Sequence, residues 1–185
     1  MSISKKTSIK CKKIKLILTD VDGVLTDGGR YYSDKGEIIK KFHVLDGMGV
    51  NLLLRNKIKT AIISKENSPI VKKWAKNMNI SKLYLGIKRK EKKLPDVCKD
   101  FSLKENEIAF IGDDVNDLEL LSSVGLSATP KDGIIQVKKI VDYTCNLRGG
   151  NGAFREFSDL ILSIQFRFLL MKNPCKHQVV FFLYV

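Results

Sequence analysis

Short apolar runs alternate with amphipathic stretches along most of the chain. The runs are four to six residues long and rich in Ile, Leu and Val, which is typical of strands buried within a parallel sheet. The stretches between them carry apolar side chains at helical spacing, as in residues 46–56, where Met48, Leu52 and Leu53 share one face. This alternation predicts an α/β fold, a doubly wound parallel sheet in a three-layer α/β/α arrangement. The predicted strands are 14–19, 60–64, 83–86, 108–111, 125–128 and 141–144, and the predicted helices are 46–56, 68–78, 88–101, 118–123, 133–140 and 151–165.

One segment breaks this alternation. Residues 24–42 contain two turn signals, Gly28-Gly29 and Ser33-Asp34-Lys35-Gly36, and the second lies between Tyr31-Tyr32 and Ile38-Ile39. Aromatic and β-branched residues on both sides of a turn signal predict a β-hairpin. We therefore expect a hairpin inserted after the first strand. Its apolar side chains suit a contact between subunits and packing within the chain equally well.

No internal repeat and no second domain is evident, so we predict one domain over residues 1–165. Residues 166–185 form a hydrophobic tail of different character, with two apolar runs around a polar, proline-containing segment. The last seven residues are apolar or aromatic, which is too short a run to span a bilayer, since about 18–20 are needed. We interpret the tail as an additional packing element or a poorly ordered end, with contact to a membrane surface as the alternative.

Composition excludes several classes of protein. The 33 Lys and Arg against 20 Asp and Glu leave a net charge of +13, but the lysines are scattered, so a nucleic-acid partner is not expected. Four cysteines without a C-x-x-C pair and two histidines argue against a zinc site, a disulfide framework and a multi-histidine metal centre. A polar start without an apolar signal core, and no run long enough to span a membrane, predict a cytoplasmic protein.

Carboxylates gather where two of the predicted strands end. The first strand runs into Asp20-Val-Asp22-Gly23, and the fourth runs into Gly112-Asp113-Asp114-Val115-Asn116-Asp117. The carboxyl ends of parallel strands lie at one edge of a sheet, so we expect the two loops to meet. Carboxylates held together need a cation, and a set of oxygen ligands without His or Cys favours Mg²⁺. In such a site one carboxylate can act as a nucleophile and another as a proton shuttle. Taken singly, each loop is equally compatible with a solvated turn or an acidic helix start.

Two further polar residues fit this picture less specifically. Ser64 ends the second predicted strand and could hydrogen-bond a phosphoryl oxygen, although a serine at a strand end is usually structural. Lys90 follows the third predicted strand within a group of basic residues and would, in isolation, be one of many solvated lysines.

The order and spacing of these residues resemble the four motifs of the haloacid dehalogenase-like phosphatases. The resemblance covers residues 14–165 and is closest to the small capless branch that contains 3-deoxy-D-manno-octulosonate 8-phosphate phosphatase. It implies a Rossmann-like fold without a cap domain and a Mg²⁺-dependent phosphoric monoester hydrolase. In the implied mechanism Asp20 attacks phosphorus to form an aspartyl-phosphate. Asp22 protonates the leaving sugar oxygen and then deprotonates the attacking water.

The resemblance also implies roles for the neighbouring residues. Mg²⁺ would be held by Asp20, the main-chain carbonyl of Asp22 and Asp113, while Ser64 and Lys90 would bind the phosphoryl oxygens. Asp117, with Asp114 and Asn116 beside it, would orient Lys90 or support the metal. Relatives in this branch are homotetramers in which the hairpin forms the contact between subunits. The residues expected at the anionic sugar-phosphate substrate are Asp22, Asp46, Gly47, Ser64, Glu66 and Lys90.

Three departures from the family pattern bear on the substrate. Glu66 stands where octulosonate phosphatases have an arginine and resembles the enzymes that act on nonulosonate 9-phosphates, such as N-acylneuraminate 9-phosphate. Leu45 and Trp74 also replace arginines. Because Phe42-His43-Val44 and Asp46-Gly47 fit the octulosonate branch, octulosonate 8-phosphate is narrowly preferred over a nonulosonate 9-phosphate. A third interpretation is a non-catalytic oligomerisation module like the C-terminal domains of some cytidylyltransferases.

Overall fold

Strands buried on both faces form the centre of the molecule. The computed structural model describes residues 3–172, and side chains as far as residue 165. In chain order the strands are β1 (Leu16–Thr19), β2 (Tyr31–Ser33), β3 (Gly36–Ile39), β4 (Lys59–Ile63), β5 (Lys82–Tyr84), β6 (Ile108–Ile111), β7 (Leu126–Thr129) and β8 (Tyr143–Thr144). The helices are α1 (Lys5–Cys11), α2 (Val44–Arg55), α3 (Pro69–Asn77), α4 (Leu94–Phe101), α5 (Leu118–Ser123), α6 (Ile135–Lys138) and α7 (Ala153–Lys172).

The order of the strands places the ends of β1 and β6 side by side. The six-stranded sheet has the order β5-β4-β1-β6-β7-β8, and all its pairs are parallel. The chain therefore builds one half of the sheet outward from β1 and then returns to build the other half from β6. In open α/β sheets this reversal of direction opens a crevice at the carboxyl ends of the strands. Thr19 lies opposite Ile111, so the loops after β1 and β6 begin at the same level.

Two apolar layers cover the sheet, as the alternation of side chains along β1 shows. Ile17 belongs to a buried cluster that includes Leu53 of α2 and Phe154 of α7. Leu16 and Leu18 point to the opposite face, into a cluster built with α4, α5 and α6. The prediction of a doubly wound, three-layer α/β/α fold is confirmed.

The predicted hairpin is also present. β2 and β3 form a separate antiparallel pair in which Tyr31 lies opposite Ile39. Its apolar side chains are exposed in the single chain, with Tyr32 62% exposed and Ile38 53% exposed. Within residues 3–172 no further domain is inserted, in agreement with the expected absence of a cap.

Three parts of the chain differ from the sequence-based expectation. The polar N-terminal segment forms α1, which Ser4 caps by accepting a hydrogen bond from the Thr7 amide. α4 begins at Leu94 instead of Lys88, because the side chain of Lys90 turns into the site and Pro95 takes a first-turn position that favours a helix start. Ser68 precedes α3 as predicted, but its hydroxyl makes no capping hydrogen bond.

The C-terminal helix crosses the predicted domain boundary. α7 continues to Lys172, so residue 165 does not end a secondary-structure element. Residues 173–185 of the predicted tail lie outside the described part of the chain. None of the helices within residues 3–172 combines the length and hydrophobicity needed to cross a membrane.

Candidate active site

Asp20 lies at the floor of the site, directly after β1. Its side chain is almost fully buried; Oδ1 accepts a hydrogen bond from the Val21 amide at 2.7 Å, and Oδ2 pairs with Lys90 Nζ at 2.7 Å. The Lys90 side chain is 1% exposed and also donates to Asp117 Oδ1 at 2.7 Å. The structure thus brings Asp20 and Lys90 together, although 70 residues of sequence separate them.

The loop after β6 supplies the second half of the site. Oδ2 of Asp117 accepts hydrogen bonds from the amides of Asp113 and Asp114, at 3.0 and 3.4 Å. Both oxygens of Asp117 are therefore in use, one by Lys90 and the other by the backbone. Asp114 accepts from the Val115 amide and caps the short 3₁₀ turn that follows. This leaves Asp113, whose Oδ1 is buried without a hydrogen-bond partner.

The carboxylates outnumber the cation between them. Burial raises the pKa of Asp20, and the charge of Asp117 adds to the rise although Lys90 opposes it. Burial, followed by the charges of Asp20 and Asp117, raises the pKa of Asp113 to about 8. Burial alone would lower the pKa of Lys90, but Asp20 and Asp117 raise it. Lys90 therefore stays protonated, and the site carries excess negative charge that a proton or a metal ion must offset.

The residues fit a divalent cation. Oxygens of Asp20, Asp113 and Asp117 lie within 4.8 Å of one another, close enough to share one ion. Of these three, only Asp113 has an oxygen without a partner. Both oxygens of Asp20 and of Asp117 already contact Lys90 or a main-chain amide, so an ion bound beside Asp113 would share the oxygens of Asp20 with these contacts. Oxygen ligands of this kind suit Mg²⁺.

Asp22 also lines the site, and it pairs with a buried lysine, Lys40. Its Oδ1 accepts a hydrogen bond from Lys40 Nζ at 2.5 Å and lies 3.4 Å from the hydroxyl of Thr26. Its Oδ2 lies 3.7 Å from the guanidinium of Arg30. Neither Lys40 nor Arg30 belongs to the motifs that predict the site.

A pocket of about 300 Å³ opens above these carboxylates. Ser64 is buried at its edge, and its hydroxyl accepts a hydrogen bond from the Glu66 amide at 3.2 Å. Glu66 is half-exposed and pairs with Arg30 at 3.5 Å. The residues expected to meet at the ends of the strands, Asp20, Asp22, Ser64 and Asp113, therefore line one pocket. The pocket is lined by Asp20, Asp22, Arg30, Ser64, Lys65, Glu66, Asp113, Asp114, Val115 and Asn116.

Asp46 and Gly47 have other surroundings. Asp46 is fully buried, and its two oxygens accept hydrogen bonds from the amides of Gly152 and Arg155, at the start of α7. Gly47 packs against Met78, whose sulfur a side chain at this position would strike. Neither residue lines the pocket. Within the chain, this pair joins α2 to its neighbours, and the expected substrate contact of Asp46 and Gly47 stays a prediction.

Comparison with known proteins places the chain in a family. A family model described as haloacid dehalogenase-like hydrolase matches residues 52–155. A 3-deoxy-D-manno-octulosonate 8-phosphate phosphatase of Haemophilus influenzae is 42% identical over 156 residues, which cover 84% of this chain and 87% of the relative. The chain belongs to the haloacid dehalogenase-like hydrolases. The relatives named octulosonate phosphatases are phosphoric monoester hydrolases of this family, and this chain is a phosphoric monoester hydrolase as well.

Solved structures agree with this haloacid dehalogenase-like assignment. The cobalt-bound form of the Haemophilus influenzae phosphatase superposes with a TM-score of 0.83 at 39% identity, covering 89% of this chain and 96% of that one. The enzyme of Moraxella catarrhalis, in complex with a magnesium ion, a phosphate ion and a KDO molecule, has a TM-score of 0.85 at 35% identity, covering 91% and 97%. Fold and family thus confirm the resemblance that the motifs predicted.

Proposed function

We propose that the protein is a Mg²⁺-dependent phosphatase that hydrolyses 3-deoxy-D-manno-octulosonate 8-phosphate to the free sugar acid and phosphate. The observation that carries this proposal is the position of Asp20, which pairs with Lys90 and lies beside Asp113, whose Oδ1 has no partner. Asp20 lines the pocket together with Asp22. The relatives of 42% and 35% identity, both octulosonate phosphatases by name, support the substrate.

In the first step Asp20 is the nucleophile. A carboxylate oxygen of Asp20 forms a bond to phosphorus while the bond between phosphorus and the sugar oxygen breaks. The leaving oxygen takes a proton from Asp22, so the sugar acid departs as an alcohol and the protein is left as an aspartyl-phosphate. Lys90 contacts the attacking carboxylate and holds it in place. Ser64 lies at the edge of the pocket, where its hydroxyl can donate to a phosphoryl oxygen.

In the second step water attacks the phosphorus of the aspartyl-phosphate. Asp22, now a carboxylate, takes the proton from that water, and the bond between phosphorus and Asp20 breaks. Phosphate leaves, and both carboxyl groups return to their starting states. When bound by Asp20, Asp113 and the main-chain carbonyl of Asp22, Mg²⁺ offsets the negative charge of the phosphoryl oxygens and of the carboxylates around them.

A nonulosonate 9-phosphate is the second candidate substrate. Glu66 stands at the mouth of the pocket, half-exposed and paired with Arg30. This acidic residue is the feature that resembles the nonulosonate phosphatases, and it offers an acceptor to the hydroxyl or amide groups of a longer sugar acid. A non-catalytic oligomerisation module is the third possibility and is disfavoured by the complete set of carboxylates.

Assembly and location extend the same proposal. We infer a cytoplasmic homotetramer in which the hairpin residues 31–39 meet neighbouring subunits. The exposed apolar side chains of Tyr31, Tyr32, Ile38 and Ile39 support this contact. The mass measured by light scattering tests it, and a fully active monomer would contradict it.

The deciding experiment is phosphate release from a panel of substrates. Purified full-length protein is incubated with octulosonate 8-phosphate, N-acylneuraminate 9-phosphate or glucose 6-phosphate, each with Mg²⁺ or with EDTA. We expect the highest kcat/KM with octulosonate 8-phosphate, no release in EDTA, and no release by Asp20→Asn. A preference for the 9-phosphate would transfer the assignment to the nonulosonate enzymes. No release from any substrate would contradict a catalytic function, and release by Asp20→Asn would contradict the proposed nucleophile.

A further inference from the structure

Lys40 is a buried cation that neither step of the proposed hydrolysis uses. Its side chain is 0% exposed, and Nζ lies 2.5 Å from Oδ1 of Asp22 and 2.8 Å from Oε1 of Glu37. Burying an ammonium group costs several kcal/mol unless charges and hydrogen bonds offset it. Its sequence neighbour Lys41 is half-exposed and makes only a surface ion pair with Asp27, at 3.1 Å. The chain therefore buries one of two adjacent lysines, and it buries the one that contacts Asp22.

The two carboxylate oxygens of Asp22 have different partners. Oδ1 faces inwards to Lys40 and Thr26, at 2.5 and 3.4 Å. Oδ2 accepts no hydrogen bond from Lys40 and lies 3.7 Å from Arg30, which lines the pocket together with Asp22. One oxygen is thus held by the protein, while the other is on the side where substrate would bind.

Glu37 links this contact to the hairpin. Its Oε1 pairs with Lys40, and its Oε2 lies 3.4 Å from the hydroxyl of Ser68, immediately before α3. Lys40 itself follows β3 directly. A shift of the hairpin would therefore move Lys40 and, through it, the carboxylate of Asp22.

We propose that Lys40 is a positioning residue that fixes Oδ1 of Asp22, so that Oδ2 is the oxygen that gives a proton to the leaving group and takes one from water. The inference rests on the proposed phosphatase function and adds the residue that aims its general acid. Lys40 does not line the pocket, and its ion pairs are with Asp22 and Glu37 and not with Asp20, so it acts through Asp22.

Comparing two leaving groups distinguishes a role of Lys40 in positioning the general acid from a general loss of activity. An alkyl phosphate such as octulosonate 8-phosphate needs a proton on its leaving oxygen, whereas p-nitrophenyl phosphate releases a stable phenolate without one. In single turnovers with the protein in excess, only the first step is measured. For Lys40→Met we expect release of the sugar acid to slow by about tenfold or more, up to the roughly 10²–10⁴-fold that general acid catalysis contributes. We expect the release of p-nitrophenolate to change less than threefold.

Three variants complete the experiment. Lys41→Met removes the adjacent lysine and is expected to leave both rates unchanged. Lys40→Arg keeps the charge and is expected to restore part of the rate with the alkyl phosphate. The double variant Lys40→Met/Glu37→Gln removes the buried cation together with one of its carboxylates, so it is expected to unfold at a higher urea concentration than Lys40→Met while keeping the slow release of the sugar acid.

The outcomes distinguish the inference from the proposed function. Wild-type protein that releases no phosphate from either compound contradicts the function itself. Active wild-type protein, together with equal losses for both leaving groups in Lys40→Met, contradicts the aiming of Asp22 and leaves Lys40 as a structural residue. An unchanged rate with the alkyl phosphate contradicts any role of Lys40 in the reaction. If Lys40→Met is not obtained folded, the same comparison of leaving groups in Glu37→Gln and Lys40→Arg decides the question.

Discussion

Gly23 and Asp113 touch at the floor of the acidic site, although they belong to loops that follow different strands. A Cβ atom on Gly23 would overlap Oδ2 of Asp113. The backbone dihedral φ of Gly23 is +87°, a value that residues with a side chain rarely adopt. The absence of a side chain at this position allows the loop after β1 to lie directly against the carboxylate that follows β6. The distance between Asp20 and Asp113, and with it the proposed cation site, depends on this glycine.

Gly23→Ala is therefore expected to disrupt the site more than the fold. The new methyl group displaces Asp113, and a displacement of about 1 Å at a reacting centre can lower a rate by about 100-fold. We expect kcat with Mg²⁺ to fall by this factor or more and the affinity for Mg²⁺ to weaken. Steady-state kinetics across a Mg²⁺ titration and calorimetry of Mg²⁺ binding check both effects.

Gly36→Ala provides the matched control for this prediction. Gly36, in the hairpin turn, also has a positive φ, at +110°, but a Cβ atom there would meet nothing within 4 Å. Both substitutions carry a backbone cost of roughly 1–3 kcal/mol, whereas only Gly23→Ala meets a carboxylate. Equal losses of Mg²⁺ affinity in the two variants would show that the contact between Gly23 and Asp113 is not the cause.

The sequence was sufficient to predict the parts of the site that follow from local order. Asp20 and Asp113 could be placed together because parallel strands end at one edge of a sheet, and the spacing of the motifs then brought in Ser64 and Lys90. The buried strands could be located from their apolar runs alone. These features depend on short stretches of chain and on one general property of α/β sheets.

Features that depend on contacts between distant residues could not be predicted in this way. Lys40 and Lys41 are the same residue type side by side, and only the positions of Asp22 and Glu37 in space decide which one is buried. Asp46 matches a family motif, which predicts a substrate contact, but the motif does not indicate that the amides at the start of α7 donate to its carboxylate. Neither partner can be identified before the helices are packed.

Lys90→Met is expected to destabilise the protein mainly when Mg²⁺ is absent. It removes the buried cation between Asp20 and Asp117, and breaking a buried ion pair on one side costs about 3–5 kcal/mol. Because Mg²⁺ can offset the same charge, the loss should be smaller in its presence. Urea denaturation in EDTA and in Mg²⁺ measures the difference. Lys93→Met, which removes a more exposed lysine paired with Asp96, should cost at most about 1 kcal/mol, and an equal loss in both variants would contradict the prediction.

The metal-free protein is expected to lose stability as the pH rises. The pKa of Asp113 is raised to about 8 in the folded state, above its ordinary value in the unfolded chain, and that of Asp20 is raised as well. The folded state therefore binds more protons than the unfolded state between about pH 4 and pH 8. The free energy of unfolding falls across this range, by about 1.4 kcal/mol per pH unit for each proton. Denaturation in EDTA at several pH values measures this slope.

Two comparisons test whether the slope comes from the acidic site. Saturating Mg²⁺ favours the ionised carboxylates, so it should flatten the dependence on pH. Asp113→Asn removes the group with the raised pKa. In EDTA it should therefore reduce, by about one, the number of extra protons that the folded state binds relative to the unfolded state. A slope that stays the same in Asp113→Asn would assign it to other residues.

Asp46→Ala distinguishes a substrate contact from a structural one. The substitution leaves the amides of Gly152 and Arg155 without their buried acceptor, at the end of α7 that packs against α2. Loss of such a cap costs about 1–2 kcal/mol, so we expect the free energy of unfolding to fall by this amount. Because Asp46 does not line the pocket, the KM for octulosonate 8-phosphate should stay within about twofold of wild type, as a difference in binding of less than roughly 0.5 kcal/mol implies. A large rise in KM with unchanged stability would instead place Asp46 at the substrate, as its motif first indicated.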